Sequence, residues 1–230
     1  MAETITIPTR FQGVTGLGQG GYAAGLLAER IDGPATADFF NPIPLDRPLD
    51  LVRSNDRLEL HDGPSLILRV RPFTGEIGTP EPVSIDDAEA ARQRSPVHDH
   101  DVIPDCFSCG TIPDSMQVHA GPLPDRQDFA TPWTPPEWAG NTNGIVADRY
   151  VWAAIDCPSG WRATTLSAKL LNAVTGQMRT KVTAPILTGQ TYALVSWSDP
   201  WKGRRVKAGT ALFDQNGTCL ATSQAVWISI

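Results

Sequence analysis

The chain has 230 residues, 41% of which are hydrophobic, and a net charge of −6. This length allows one large domain or two small ones, and the acidic balance argues against a nucleic-acid-binding protein, which needs a basic face to neutralise phosphates. No segment approaches the roughly 20 consecutive apolar residues that cross a bilayer, and residues 1–4 lack the basic start of a signal peptide. We therefore expect a cytoplasmic protein with no nucleic-acid or membrane partner and with reduced cysteines.

A glycine-rich segment is the first distinctive feature after a short predicted strand at residues 4–7. Residues 18–21 are Gly-Gln-Gly-Gly, and an Ala- and Leu-rich run continues through Ala28. Small, unbranched side chains predict a helix that is packed closely on every side. The first N–H groups of a helix have no partner within it, and glycine lets a ligand approach them. This N-terminus is therefore a candidate site for a carbonyl oxygen or an anion.

The same order of predicted elements occurs twice along the chain. A second apolar helix is predicted around Tyr150, which takes the place of Tyr22, and residues 158–160 predict the turn that ends this helix. Each helix is followed by extended chain with an x-Pro-Ile step, at residues 41–43 and 184–186. The pattern indicates an internal repeat.

Three further strands follow each extended segment. Asp62-Gly63 and Asn216-Gly217 are strong hairpin signals, because both central residues of such turns must tolerate positive φ. The predicted strands are 49–53, 57–60 and 66–70 in the first half, and 191–197, 205–213 and 218–230 in the second.

A proline-rich connector joins the two halves. A short helix is predicted within it from Ser84, the N-cap, to about Arg94. Two strands, at Met116–His119 and Phe129–Trp133, are expected where the second half starts. The predicted limits are 1–75 for the first repeat, 76–114 for the connector and 115–230 for the second repeat.

The pair Cys106-x-x-Cys109 is a candidate zinc site, because zinc takes four N or S ligands and often uses this spacing. His98, His100 and His119 are the candidate further ligands. The sequence has no second Cys-x-x-Cys pair, and the histidine spacing is not that of a zinc finger. We therefore favour reduced thiols that pack a loop, and we predict neither a bound metal nor a cofactor, with zinc as the open alternative.

We call residues 18–21 the glycine collar. The predicted order is this collar, a buried helix and a curled antiparallel sheet, and the helix and sheet then repeat. This order resembles the double hotdog fold of acyl-CoA thioesterases, an α+β fold. Gln19-Gly20-Gly21 resembles the His-Gly-Gly signature of the phenylacetate and hydroxybenzoyl-CoA thioesterase branches, with Gln19 in place of histidine. In those families an acidic residue lies eight positions after the first glycine of the pair. That position is Ala28 in the first half, with Glu29 one step beyond, and Asp156 in the second.

This division between the halves implies a composite site. Eight helical residues span roughly 12 Å, so one helix cannot present its N-terminus and its own eighth residue to the same thioester carbon. If the two helices lie side by side and antiparallel, Asp156 faces Gly20 and Gly21. The reciprocal pairing of Ala28 with residues 148–149 would lack both the glycine pair and the acid, so we predict one working site per chain.

The resemblance also implies roles for these residues. The N–H groups of Gly20 or Gly21 would hold the thioester oxygen as it gains charge, and Asp156 would act as a general base or as a nucleophile. The further candidates are Gln12 as a catalytic residue, and Gln19, Tyr22 and Trp152 as substrate-binding residues.

Thioester hydrolysis is therefore the leading hypothesis, with acyl-CoA or an acyl-carrier protein as the partner and a homodimer as the assembly that the resemblance implies. A dehydratase or hydratase of the same fold usually pairs a histidine with a carboxylate, and neither predicted repeat helix contains a histidine. A non-catalytic acyl-thioester-binding protein is the other alternative, because the collar histidine is missing and only one half keeps the acid.

Overall fold

The computed structural model describes residues 3–99, 103–165 and 173–230. Within these ranges the chain forms eleven strands and three α-helices. The strands are β1 (Glu3–Thr6), β2 (Ala35–Phe39), β3 (Pro48–Ser54), β4 (Arg57–Asp62), β5 (Ser65–Pro72), β6 (Gly121–Pro122), β7 (Phe129–Trp133), β8 (Ala173–Val182), β9 (Tyr192–Ser198), β10 (Arg205–Phe213) and β11 (Cys219–Ser229). The helices are α1 (Gly20–Ala28), α2 (Ile85–Arg92) and α3 (Asp148–Thr165).

The described strands join one antiparallel sheet in the order β1-β3-β4-β5-β2-β8-β11-β10-β9-β7-β6. Its middle is the pairing of β2 with β8, in which Ala35 lies opposite Thr180 and Asp38 lies opposite Gln177. Counted outward from this seam, each side has the same arrangement: the strand after the helix, then the last, middle and first strands of the hairpin series, and then the strand before the helix. The predicted repetition of elements is therefore present in the sheet.

Local hydrogen bonds around the helix starts repeat as well. The Gly18 N–H donates to the Ile43 carbonyl at 2.8 Å, and the Val146 N–H donates to the Ile186 carbonyl at 2.8 Å. Both isoleucines are buried. The two x-Pro-Ile steps thus play the same part, which is to fasten the chain that enters each helix.

The hairpin turns form where the sequence predicts them. Asn55, Gly63 and Gly217 have φ values of 53°, 56° and 78°. This left-handed region is the one that Asn and Gly tolerate and that tight hairpins require. All six strands predicted in the two hairpin series are confirmed, with shifts of a few residues at their ends.

Helices α1 and α3 pack side by side and run antiparallel. Gly21 lies against Trp152 and Asp156, whereas Gly25, one turn later, lies against Arg149. A Cβ at Gly21 would be 2.5 Å from the Trp152 carbonyl oxygen, and one at Gly25 would be 2.6 Å from the Arg149 Cα. These glycines therefore set the distance between the helices. None of the described helices is long and apolar enough to span a membrane.

The second repeat helix is longer than predicted. The turn expected at residues 158–160 does not form, and α3 continues through Pro158 to Thr165. An interior proline removes one helical hydrogen bond at a cost of about 3 kcal/mol. Burial outweighs that cost here, because Ser159 accepts the Trp227 indole N–H at 2.9 Å and the Trp227 ring packs against Gly160. Asp156 is consequently a mid-helix residue.

The connector agrees with the sequence in its helix and differs in one strand. Helix α2 is confirmed, and the Ser84 hydroxyl caps it by accepting the Asp87 N–H at 3.1 Å. The strand expected at Met116–His119 is absent, because this segment pairs with a neighbouring loop: the Met116 N–H donates to the Phe107 carbonyl at 2.7 Å, and the Val118 N–H donates to Ser108 at 2.9 Å.

Candidate active site at the helix pair

The carboxylate of Asp156 lies at the N-terminus of α1, as the composite-site geometry predicts. Its Oδ2 accepts hydrogen bonds from the Gly21 N–H at 3.0 Å and from Gln19 Nε2 at 2.8 Å. Its Oδ1 accepts from the Thr175 hydroxyl at 3.2 Å. Side chains from α3 and β8 and the start of α1 thus meet at one carboxylate.

Asp156 is buried, with 3% of its surface exposed. Within the described part of the chain no cationic side chain forms an ion pair with it. Burial disfavours the charged form and raises the pKa of Asp156 to about 6, while the bond from the Gly21 N–H opposes that rise. A carboxyl group with such a pKa can take up and release a proton near neutral pH.

Gln19 is the N-cap of α1 and also the partner of Asp156. Its Oε1 accepts the Tyr22 N–H at 2.5 Å, and its Nε2 donates to Asp156. An amide can do both because it carries an acceptor and a donor. Gln19 is 2% exposed, so its two hydrogen bonds fix the position of the carboxylate relative to the helix start.

The two collar glycines have different surroundings. Gly21 is buried, and a Cβ there would clash with α3. Gly20 is half-buried, and a Cβ there would lie 3.5 Å from Asp156 Oδ2 and 3.5 Å from the Phe39 ring. Close helix packing therefore accounts for Gly21. It does not account for Gly20, which borders the carboxylate.

Three of the predicted site residues are engaged elsewhere. The Gln12 side chain accepts the Gly16 N–H at 3.1 Å within its own loop, and no hydrogen bond joins it to Asp156. Tyr22 is buried and stacks on Phe11, with 3.9 Å between ring centroids. Trp152 is 2% exposed and packs against the glycines of α1. We assign these side chains to loop capping and helix packing.

At the other end of the helix pair, where α1 ends and α3 begins, one expectation is wrong. Ala28 and residues 148–149 lack the glycine pair, but an acid is present, because Glu29 reaches the start of α3. Glu29 Oε1 accepts the Arg149 backbone N–H at 3.0 Å and Arg149 Nε at 2.9 Å, and its Oε2 lies 2.7 Å from Arg149 Nη2. This carboxylate is therefore neutralised by an ion pair.

Two features near Asp156 were not predicted from the sequence. The first is Thr175, which contacts Asp156 only because β8 returns beside α3. The second is a cluster of Cys106, Cys109 and Cys157, whose sulfur atoms all lie within 4.8 Å of one another. The position of Cys157 directly after Asp156 was the one available signal.

The histidines proposed as zinc ligands do not join that cluster. His119 Nε2 lies 2.9 Å from the Gly110 carbonyl oxygen, and the exposed His98 packs edge-on against the His119 ring. Neither belongs to the group of ligand atoms around the three sulfurs. His100 lies outside the described residues.

Comparison with known proteins places this architecture among hotdog folds. The structure is similar to a conserved protein of unknown function with hot dog fold from Alicyclobacillus acidocaldarius (TM-score 0.62, 13% identity, 99% of this chain and 92% of that one). It is also similar to a putative thioesterase II from Thermobifida fusca YX (0.60, 12%, 100% and 97%) and to the acyl-CoA thioesterase II TesB2 from Mycobacterium marinum (0.59, 11%, 91% and 90%). No family model matches the sequence, and no curated protein matches it.

At these identities the likeness is one of fold. The similar structures cover nearly the whole chain, and two repeats of a helix and an antiparallel sheet meet at the β2–β8 seam. The chain therefore has the double hotdog fold of thioesterase II-like structures, an α+β fold.

Proposed function

We propose that this protein hydrolyses an acyl thioester, with acyl-CoA or an acyl-carrier protein as its substrate. The observation that carries the proposal is the buried Asp156 carboxylate, which has no cationic partner in the described chain and accepts the Gly21 N–H at the start of α1. The proposed units are a first repeat at 1–75, a connector at 76–114 and a second repeat at 115–230.

The start of α1 supplies the site for the carbonyl oxygen. The Gly21 N–H donates to Asp156, so we assign the oxygen of the thioester to the Gly20 N–H, at the half-buried glycine. The positive end of the helix dipole stabilises negative charge at this point. A donor aimed at the developing oxyanion lowers the barrier to acyl transfer.

Asp156 serves as the general base for water. As the water oxygen attacks the thioester carbon, its proton passes to the carboxylate, and the C–S bond then breaks to release a thiolate that takes up a proton. The hydrogen bonds from Gln19 and Thr175 hold the carboxylate in one orientation. The alternative role for the same carboxylate is direct attack on the thioester carbon, which gives a mixed anhydride that water then opens.

A dehydratase or hydratase is less well supported. Those enzymes usually pair a histidine with the carboxylate, whereas the side chains that hydrogen-bond to Asp156 are Gln19 and Thr175. No observation favours this second function.

Free-thiol release from a panel of short, medium, long-chain and aryl CoA thioesters tests the proposal. We expect turnover of at least one acyl class by the parent chain and a loss of at least about 100-fold in Asp156→Asn, the usual scale for removal of a general base. A parent that binds a non-hydrolysable acyl-CoA thioether but releases no thiol from the CoA panel or from acyl-carrier thioesters would instead be an acyl-thioester-binding protein.

A further inference from the structure

Three cysteines from two distant segments converge beside the helix pair. Cys106 and Cys109 lie in the connector loop, and Cys157 lies on α3. The Sγ atoms of Cys106 and Cys157 are 3.8 Å apart, and all three sulfurs are within 4.8 Å of one another. With Zn–S bonds of about 2.3 Å, a tetrahedral zinc places its thiolates about 3.8 Å apart. The Cys106 and Cys157 sulfurs thus already have the spacing of two zinc ligands, and the Cys109 sulfur lies within 4.8 Å of both.

The connector loop forms a tight turn at Cys106. The Cys106 N–H donates to the Ile103 carbonyl at 3.0 Å, and the Gly110 N–H donates to the Cys106 carbonyl at 2.7 Å. Glycine is required at this turn, because a Cβ on Gly110 would be 2.3 Å from the Pro104 carbonyl oxygen. The backbone of the loop therefore fixes the position of Cys106 relative to Cys109.

The three sulfurs lie in a largely apolar part of the structure. Trp161, Val97 and Ile103 pack with the three cysteines, and Cys106 and Cys109 are each 1% exposed. Gln19 provides an N–H donor, because its Nε2 lies 3.7 Å from the Cys157 sulfur. Three enclosed thiols are a donor set that suits a thiophilic metal ion, and an amide donor stabilises a metal-bound thiolate.

We propose that Cys106, Cys109 and Cys157 bind a thiophilic metal ion, with Zn²⁺ as the ion of choice, and that this ion fastens the connector loop to α3. On binding, three S–H groups release their protons to solvent and three Zn–S bonds form, with no change of oxidation state. Three protein ligands leave the fourth position of a tetrahedral ion open to an external ligand. This inference does not depend on the proposed hydrolase activity.

Neighbouring side chains hold the loop that carries Cys106 and Cys109 in place. His119 donates Nε2–H to the Gly110 carbonyl at 2.9 Å, and the Ser115 hydroxyl donates to the same oxygen at 2.6 Å. These bonds hold the turn that follows Cys109. Gln19 contacts both Cys157 and Asp156. The cysteine cluster is therefore adjacent to the candidate active site.

Zinc stoichiometry in the full chain tests the site. We would reduce the protein, remove metal with a chelator, and titrate Zn²⁺ in competition with a chromophoric zinc chelator. We expect one zinc per chain in the parent, and an affinity at least about 100-fold lower in Cys157→Ser, which loses one of three thiolates. Cys219→Ser is the matched control, because Cys219 lies on β11 and its thiol donates to the Ala221 carbonyl at 3.4 Å. This variant should bind zinc like the parent.

Two further measurements keep the test decisive if Cys157→Ser folds poorly. Co²⁺ added to the parent should give thiolate-to-metal charge-transfer absorption, and Zn²⁺ should raise the thermal unfolding temperature of the parent and of Cys219→Ser. Absence of zinc binding by the reduced parent would overturn the proposal. Retention of full zinc affinity in Cys157→Ser would overturn it too, as would a disulfide among the three cysteines in a chain that takes up no metal.

Discussion

The two ends of the central helix pair make the same kind of contact and differ in charge. At the start of α1 the Gly21 N–H donates to Asp156, and at the start of α3 the Arg149 N–H donates to Glu29. Each helix therefore directs a carboxylate at the N-terminus of the other. Arg149 closes an ion pair with Glu29, whereas the donors to Asp156 are uncharged.

This difference separates a structural contact from a candidate catalytic group. The Arg149 guanidinium occupies the oxygens of Glu29 in an ion pair. Asp156 has no such partner in the described chain, and burial raises its pKa to about 6. The repeated fold thus supplies two equivalent positions, and of the two carboxylates only Asp156 is held by uncharged donors alone.

Substitution of the two collar glycines tests whether Gly21 serves helix packing and Gly20 serves substrate binding. Gly21→Ala places a methyl group 2.5 Å from the Trp152 carbonyl oxygen, so we expect the free energy of unfolding to fall by about 1–3 kcal/mol. Gly20→Ala meets only contacts of 3.5 Å, so it should keep the parent stability. Its methyl group would lie beside the carboxylate, and kcat/KM should fall at least about tenfold because the thioester is misplaced.

Denaturant unfolding and steady-state kinetics on the two variants measure both effects. If Gly20→Ala hydrolysed thioesters like the parent, the carbonyl would not bind at this glycine. If Gly21→Ala were as stable as the parent, the close approach of α1 to α3 would not limit the packing.

The hydroxyl that orients Asp156 allows a smaller test. Thr175→Val removes the hydrogen bond to Oδ1 and keeps the side-chain shape, so we expect a loss of about 1 kcal/mol in transition-state stabilisation, or roughly fivefold in kcat. Thr180→Val is the control on the same strand, because the Thr180 hydroxyl is buried and has no hydrogen-bond partner among the described residues. If Thr175→Val and Thr180→Val had equal kinetics, the hydrogen bond from Thr175 to Asp156 would not contribute to catalysis.

Much of the fold is readable from local sequence signals. Gly63 and Gly217 mark hairpin turns because their left-handed φ is a local requirement. The pairing of β2 with β8 is not readable in this way, because it joins residues more than a hundred positions apart. The continuation of α3 through Pro158 is also a tertiary effect, since burial overrides a local helix-breaking preference.

The candidate site also combines features that local sequence signals predict with features that depend on long-range contacts. The glycine collar and Asp156 follow from the resemblance and from helix geometry, and their contact is observed. Glu29 is visible in the sequence one step beyond Ala28, but its contact with the start of α3 depends on how the two helices pack. Thr175 and the convergence of Cys157 with the connector loop depend on how distant segments return to α3, and short-range patterns carry no information on that.

The most direct test of the central claim is thiol release measured side by side for Glu29→Gln and Asp156→Asn. Both changes remove one negative charge from a carboxylate at a helix N-terminus and keep the side-chain shape. We predict that Glu29→Gln retains the parent rate within about twofold and that Asp156→Asn loses at least about 100-fold. Equal loss in both variants, or loss only in Glu29→Gln, would contradict the assignment of a single working site to the Asp156 end.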